Sequence, residues 1–228
     1  DKSYGFREGR NCQQAVQRAQ KYIEDGNRWV VEMDLSKFFD RVNHDILMDR
    51  VSRVIDDKAI LKLIRRYLNA GIMEDGLVSP RLEGVPQGSP LSPLLSNIML
   101  TDLDRELEER GLNHVRYADD CNIYVKSEKA AQRVLTNITK YVEETLKLRV
   151  NRDKSGTFRP RDSVFLGYTF SKANCTRIIV AQKSVKRLWT KLHKIFNTAR
   201  GTSLGWAIKT ITPVLRGWRN YYRLDDRK

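Results

Sequence analysis

Two adjacent carboxylates, Asp119 and Asp120, stand between the apolar runs His114–Tyr117 and Asn122–Lys126, the pattern of a β-hairpin with acidic residues at its tip. Like charges so close repel each other and take up protons unless a cation or a donor compensates them. A third carboxylate, Asp34, comes near the end of the short β-forming run Trp29–Leu35. An Asp-Asp pair alone reads most simply as a solvated turn. Three carboxylates delivered by two strands instead make an oxygen-rich site suited to two divalent ions. Such a site implies phosphoryl transfer, in which positioning and electrostatics do the work and no side-chain nucleophile is required.

The elements that must position these groups follow from periodicity. Ala15, Val16, Ala19, Tyr22 and Ile23 recur at helical spacing over 11–25 before Asp25-Gly26 stops the run. The strand carrying Asp34 leads into helical patterns over 44–54 and 57–70, and 71–84 reads as irregular or hairpin structure rich in turn residues. A long helix is expected from Pro90, then the acidic hairpin, helices at 127–146 and 183–199, and strands at 163–170 and 177–181. Thr212-Pro213 reads as the cap and first turn of a last helix. The mixed order of strands and helices gives an α+β fold.

Composition narrows the partner. The 228 residues carry a net charge of +14, and residues 181–228 concentrate it, with twelve Lys and Arg against Asp225 and Asp226 alone. The expected domains are therefore 1–180, nearly balanced in charge, and 181–228, a basic helical module. Such a surface attracts polyanions through counterion release, which makes nucleic acid the first partner to consider. The longest apolar runs fall far short of the roughly 20 residues that span a bilayer, so no membrane partner is expected. Cys12, Cys121 and Cys175, like His44, His114 and His193, lack the spacing of a metal site.

Three strings set these residues in a larger pattern: Met33-Asp34-Leu35-Ser36-Lys37-Phe38-Phe39-Asp40, Gly84-Val85-Pro86-Gln87-Gly88-Ser89-Pro90-Leu91-Ser92-Pro93 and Tyr117-Ala118-Asp119-Asp120. In order and spacing they resemble palm motifs A, B and C of a reverse transcriptase. Tyr4-Gly5-Phe6-Arg7-Glu8-Gly9-Arg10 and Phe165-Leu166-Gly167-Tyr168 resemble the bacterial group II intron branch, the reverse transcriptase/maturases. The fold so implied is a right-hand polymerase palm, an antiparallel sheet packed on helices, followed by a helical basic thumb.

The resemblance further implies a role for each matching residue. Asp34, Asp119 and Asp120 would bind two Mg2+ ions, with Mn2+ as a substitute. Phe39 would be the gate against the sugar 2′ position. Pro86, Gln87 and Gly88 would lie beneath the incoming nucleotide, and Lys154 would protonate the pyrophosphate leaving group. Phe165, Leu166 and Gly167 would form the primer grip. Val185, Leu188, Trp189, Leu192 and Phe196 mark one apolar face of the helix at 183–199, and Lys183, Lys186, Arg187, Lys191 and Lys194 around it would face a duplex.

The implied function is RNA-directed DNA synthesis on an RNA template with a DNA or RNA primer and dNTPs, together with binding of intron RNA to assist splicing. The bacterial cytoplasm near the nucleoid is the implied setting, and a homodimer is compatible with it. The family's usual fingers, and any maturase or endonuclease extension, are not matched in these residues, so a fragment that polymerises poorly by itself is expected. The alternative is an RNA-binding splicing cofactor whose palm is mainly a scaffold. Three costly carboxylates beside a polyanion favour the polymerase.

Overall fold

The computed structural model describes residues 2–70, 72–74, 77–79, 83–86, 88–171 and 176–227, with 72–74 and 77–79 described as backbone. Its centre is a four-stranded antiparallel sheet in the order β4-β5-β1-β6, formed by β1 (Trp29–Met33), β4 (Asn113–Tyr117), β5 (Asp120–Val125) and β6 (Gly156–Phe158). The period of two in β1 explains why both faces are covered. Val31 and Met33 join one core and Val30 the other.

The larger core lies between the sheet and α3 (His44–Ser52), α4 (Lys58–Asn69), α5 (Ser92–Glu109) and α6 (Glu128–Glu144). Three of these helices begin at side-chain caps, since Asn43, Asp57 and Ser127 accept from backbone N–H groups in the first turn. The second core is built by α1 (Cys12–Glu24) and the hairpin of β7 (Tyr168–Phe170) and β8 (Ile178–Val180). α1 opens with a reciprocal capping box between Asn11 and Gln14, and buries Ala15, Val16, Ala19, Tyr22 and Ile23 as its spacing predicts.

A one-turn helix α2 (Phe38–Arg41) follows Asp34, and a small hairpin of β2 (Ile72–Glu74) and β3 (Leu77–Ser79) precedes α5. The chain closes with α7 (Gln182–Ala199) and α8 (Leu204–Tyr221), which pack on each other. Among the described residues no helix is long and apolar enough to cross a membrane.

Two expectations are corrected and one strand is added. The last helix starts at Leu204, capped by the Ser203 hydroxyl 3.3 Å from the Trp206 amide, and Pro213 lies inside it. An interior proline costs one helical hydrogen bond but can be carried where the flanking turns persist. The strand expected at 163–170 shortens to β7 because 165–168 form a tight turn. β6 was not anticipated, since Gly-Thr-Phe has too little alternation to announce a strand.

Candidate active site

Asp34 leaves β1 at the edge where the sheet gives way to α2. Its amide donates to Ser155 Oγ at 3.0 Å and its carbonyl accepts from the Asn151 amide at 2.8 Å, so the 151–155 loop fixes its backbone from both sides. From that loop Lys154 reaches back, its Nζ 3.8 Å from Asp34 Oδ2. The Lys154 side chain is 69% exposed, so water screens its attraction to Asp34.

Asp119 lies in the turn between β4 and β5, and Asp120 opens β5. Tyr117 pairs with Asp120, which leaves Ala118 and Asp119 as a two-residue loop with Ala118 at φ 57°. Lost hydration raises the Asp119 carboxyl above its ordinary range, and the Asp34 charge adds to the shift. Asp120 is open to solvent on one side and crowded against the sheet on the other. Lost hydration first, then the charges of Asp119, Asp34 and Glu32, push its carboxyl up to about 6, against some relief from Lys154.

The three predicted carboxylates are thus brought to one end of the β1–β5 pair. Among the described residues no group of three or more ligating side chains closes tightly enough to hold a metal ion. The donor set nevertheless fits a hard divalent cation, being all carboxylate oxygen, mutually repelling, and holding two proton-prone groups, Asp119 and Asp120, whose charged forms a cation would stabilise.

The predicted nucleotide contacts border this cluster. Phe38 takes the place in the core at 3% exposure, which leaves Phe39 half-buried with its ring edge-on to Phe38 at 5.2 Å. The Val85 amide donates to the Phe39 carbonyl at 2.6 Å and the Gly84 amide to the Val42 carbonyl at 2.8 Å, so the motif-B segment lies against α2. The Pro86 carbonyl accepts from the Ser92 hydroxyl. Gly88, at φ 81°, has open space where a Cβ would stand, while Gln87 lies outside the described residues.

Phe165-Leu166-Gly167-Tyr168 is a tight turn with both central residues at positive φ and reciprocal 2.9 Å bonds between Phe165 and Tyr168. Phe165 is buried in the second core, so its ring is no surface contact. The Gly167 carbonyl accepts from the Ala181 amide at 3.0 Å and Ser184 Oγ at 3.1 Å, and Tyr221 Oη donates to the Leu166 carbonyl at 3.1 Å. The basic helices therefore hold the turn directly. Lys183, Lys186, Arg187, Lys191 and Lys194 are exposed on α7. Arg187 and Lys191 line a cavity of about 440 Å³ between α7 and α8, with Leu188 and Trp218. Trp189 and Phe196, expected on the packed face, are 58% and 51% exposed because α8 covers only a narrow stripe of α7.

Two features escaped the sequence reading. Glu32, on the same face of β1 as Asp34, is raised by burial and accepts from the Val164 amide at 3.0 Å, tying the strand to the segment before the Phe165 turn. Arg116, read as part of an apolar run, is wholly buried and pairs with Asp104 on α5. A charged residue inside an apolar strand pattern was the available signal for both.

Residues 1–170 match the model of the reverse transcriptase family (RNA-dependent DNA polymerase), and residues 185–228 match that of the group II intron maturase-specific domain, which corrects the expectation that no maturase segment falls within these residues. Protein YkfC of Escherichia coli is 35% identical over 205 residues, covering 73% of this chain and 54% of that protein. The group II intron-encoded protein LtrA of Lactococcus lactis is 38% identical over 105 residues, covering 46% of this chain and 17% of LtrA. The chain thus spans about half the length of YkfC and less of LtrA. A telomerase from Candida albicans, solved with a fragment of telomeric RNA, superposes with a TM-score of 0.63 at 16% identity over 94% of this chain and 42% of that one, a likeness of fold. A reverse transcriptase domain works with divalent metal ions and nucleic acid. With its α+β polymerase fold, its carboxylates at one end of the β1–β5 pair and most of its length under the family model, the chain belongs to the reverse transcriptases, with a group II intron maturase-specific segment at its C-terminal end.

Proposed function

We propose that this chain carries the nucleotidyl-transfer centre of a group II intron reverse transcriptase, which extends a DNA or RNA primer with dNTPs on an RNA template. The observation that carries the reading is the convergence of Asp34, Asp119 and Asp120 at one end of the β1–β5 pair, next to the Lys154 ammonium. Two Mg2+ ions, bound there, would lower the cost of deprotonating the primer 3′-hydroxyl and of releasing pyrophosphate. Asp34 and Asp119 would hold them, and Asp120 would complete the negative cluster.

The remaining residues position and discriminate. Phe39, half-buried and backed by Val85, would press on the sugar where a ribonucleotide carries its 2′-hydroxyl, denying that group both room and a hydrogen bond. Pro86, Gln87 and Gly88 would lie beneath the nucleotide, Gly88 allowing close approach of the backbone. Lys154 would donate its proton to the departing pyrophosphate oxygen. The Phe165–Tyr168 turn would hold the primer through its backbone, and α7 the duplex through Lys183, Lys186, Arg187, Lys191 and Lys194.

The division near Ala181 into a palm with part of the fingers and a basic thumb belongs to the same proposal, as do a cytoplasmic setting and a homodimer. A second role, binding intron RNA to assist splicing, is favoured by the maturase-specific match over 185–228 and by its cationic helices. Primer extension on an RNA template with Mg2+ and dNTPs, using the natural full-length protein beside its Asp119→Asn, Asp120→Asn double variant, tests the reading. Extension by the unmodified protein alone is expected. If both are silent while structured intron RNA is still bound tightly, the palm is a scaffold and the protein a splicing cofactor.

A further inference from the structure

The acidic turn is held from beneath by a buried guanidinium. The Arg116 side chain has no exposed surface, yet most of its donors are used. Nε donates to Asp104 Oδ1 at 2.7 Å and Nη2 to Asp104 Oδ2 at 2.5 Å, a two-pronged pair with the carboxylate. Nη1 donates to Asn97 Oδ1 at 3.1 Å and to the Ala118 carbonyl at 2.7 Å. Asn97 and Asp104 are seven residues apart on α5, two turns along one face, so one helix presents both partners.

The Ala118 carbonyl belongs to the peptide unit that enters Asp119. Ala118 has φ 57° at the first position of a two-residue loop, where glycine is favoured and a Cβ costs roughly 1 kcal/mol or more. A strained turn of this kind keeps its shape only if its surroundings fix it. The chain start supplies a second clamp, since the Tyr4 amide donates to the Arg116 carbonyl at 2.8 Å and the Arg116 amide to the Lys2 carbonyl at 3.0 Å. Asn97 Nδ2 donates to the Gly5 carbonyl at 3.0 Å, and a Cβ on Gly5 would come within 2.3 Å of the Ala118 nitrogen.

We propose that Arg116, oriented by Asp104 and Asn97, is a positioning residue that sets the Ala118–Asp119 peptide and with it the aim of the Asp119 carboxylate at a divalent cation. The proposal rests on the metal-binding reading above. A buried ion pair gives little net stability over an apolar pair of similar volume. Stability alone therefore does not account for four charge-assisted hydrogen bonds gathered under one loop.

That argument supplies the test. Arg116→Met with Asp104→Leu removes both charges together and leaves neither unpaired. Thermal melting and Mn2+ binding followed by electron paramagnetic resonance, without nucleotide or turnover, are measured on the natural protein, the double variant, Arg116→Lys and Asp119→Asn. The double variant is expected to melt near the unmodified protein and to bind Mn2+ about tenfold more weakly, the usual loss when a group orienting a metal ligand is removed. Unchanged affinity in a folded double variant overturns the proposal.

Should the double variant not fold, Arg116→Lys decides. It keeps the charge beside Asp104 but gives up the fork, so weakened Mn2+ binding with a retained melting temperature supports the assignment and unchanged binding overturns it. Mn2+ binding that is already the same in Asp119→Asn and the unmodified protein would instead remove the metal-site reading beneath both.

Discussion

Met33 and Cys121 form the last rung of the ladder between β1 and β5, the two inner strands of the sheet, so the residues beyond that rung, Asp34 and Asp120, stand opposite one another at the strand ends. The pairing register, and not the turn alone, is what concentrates negative charge there. Asp120 responds with a carboxyl pushed up to about 6. Its charged form is the one a cation needs, so divalent-ion affinity is expected to fall as the pH drops through about 6, approaching tenfold per unit below it. Mn2+ titrations between pH 5 and pH 8 would show this, and Asp120→Asn would flatten the profile.

The same shift has the opposite consequence for the metal-free fold. A carboxyl raised above its unfolded value contributes stability that is full below the unfolded pKa and is lost as the pH rises through about 6. Metal-free protein is therefore expected to gain melting temperature, relative to Asp120→Asn, on acidification from pH 7 to pH 5. Saturating Mg2+ should shrink the difference by stabilising the carboxylate. A difference between the two proteins that does not change with pH would show that Asp120 is not under this strain.

Gly84 ties the Gly84–Pro86 segment to the backbone of Phe39, the proposed gate. At φ 88°, an added Cβ would lie 2.8 Å from the carbonyl carbon and oxygen of Asp40 and from the Phe39 oxygen, all of them backbone atoms that cannot turn aside. Gly84→Ala should therefore destabilise the protein by more than about 1 kcal/mol in urea titration and displace Phe39 as well.

Phe39→Ala examines the gate directly while leaving the backbone free of a clash. Ribonucleotide incorporation relative to deoxyribonucleotide should rise by about tenfold or more, measured as the ratio of kcat/KM for the paired substrates. Unchanged selectivity would remove the gate assignment without touching the metal cluster.

The readable parts of this chain were those governed by local rules. The spacing of the α1 apolar residues, the Asp25-Gly26 stop, and Asp119-Asp120 between two β-forming runs each act within one element, so periodicity and turn chemistry reach them. The start of α8 failed because Pro213 is a strong local signal that tertiary structure overrides, while the actual cap, Ser203, sits in an otherwise ordinary loop. Arg116 was hidden for the reverse reason: its meaning lies in Asp104 and Asn97 on a different element, and a strand residue's partners across a layer have no fixed spacing in sequence. Phe165 shows how a motif can be legible and its atoms not, since the turn is formed but its ring belongs to the core.

The cations of α7 offer a test that separates a nucleic-acid face from a merely solvated one. Lys186 and Lys191 are exposed on the helix whose start, at Ala181 and Ser184, binds the Gly167 carbonyl, so a duplex held by that turn would pass along them. Each phosphate contact releases counterions, and the logarithm of the binding constant falls with the logarithm of salt by about 0.7 to 0.9 per contact. Lys186→Gln with Lys191→Gln should weaken binding of a primer–template duplex at low salt and flatten that slope by one to two contacts' worth. Lys140→Gln on α6, which removes an exposed cation 3.9 Å from Glu144, serves as the control and should leave the slope unchanged. Equal slopes in all three proteins would place the duplex elsewhere, because a cation that touches no phosphate has no counterions to release.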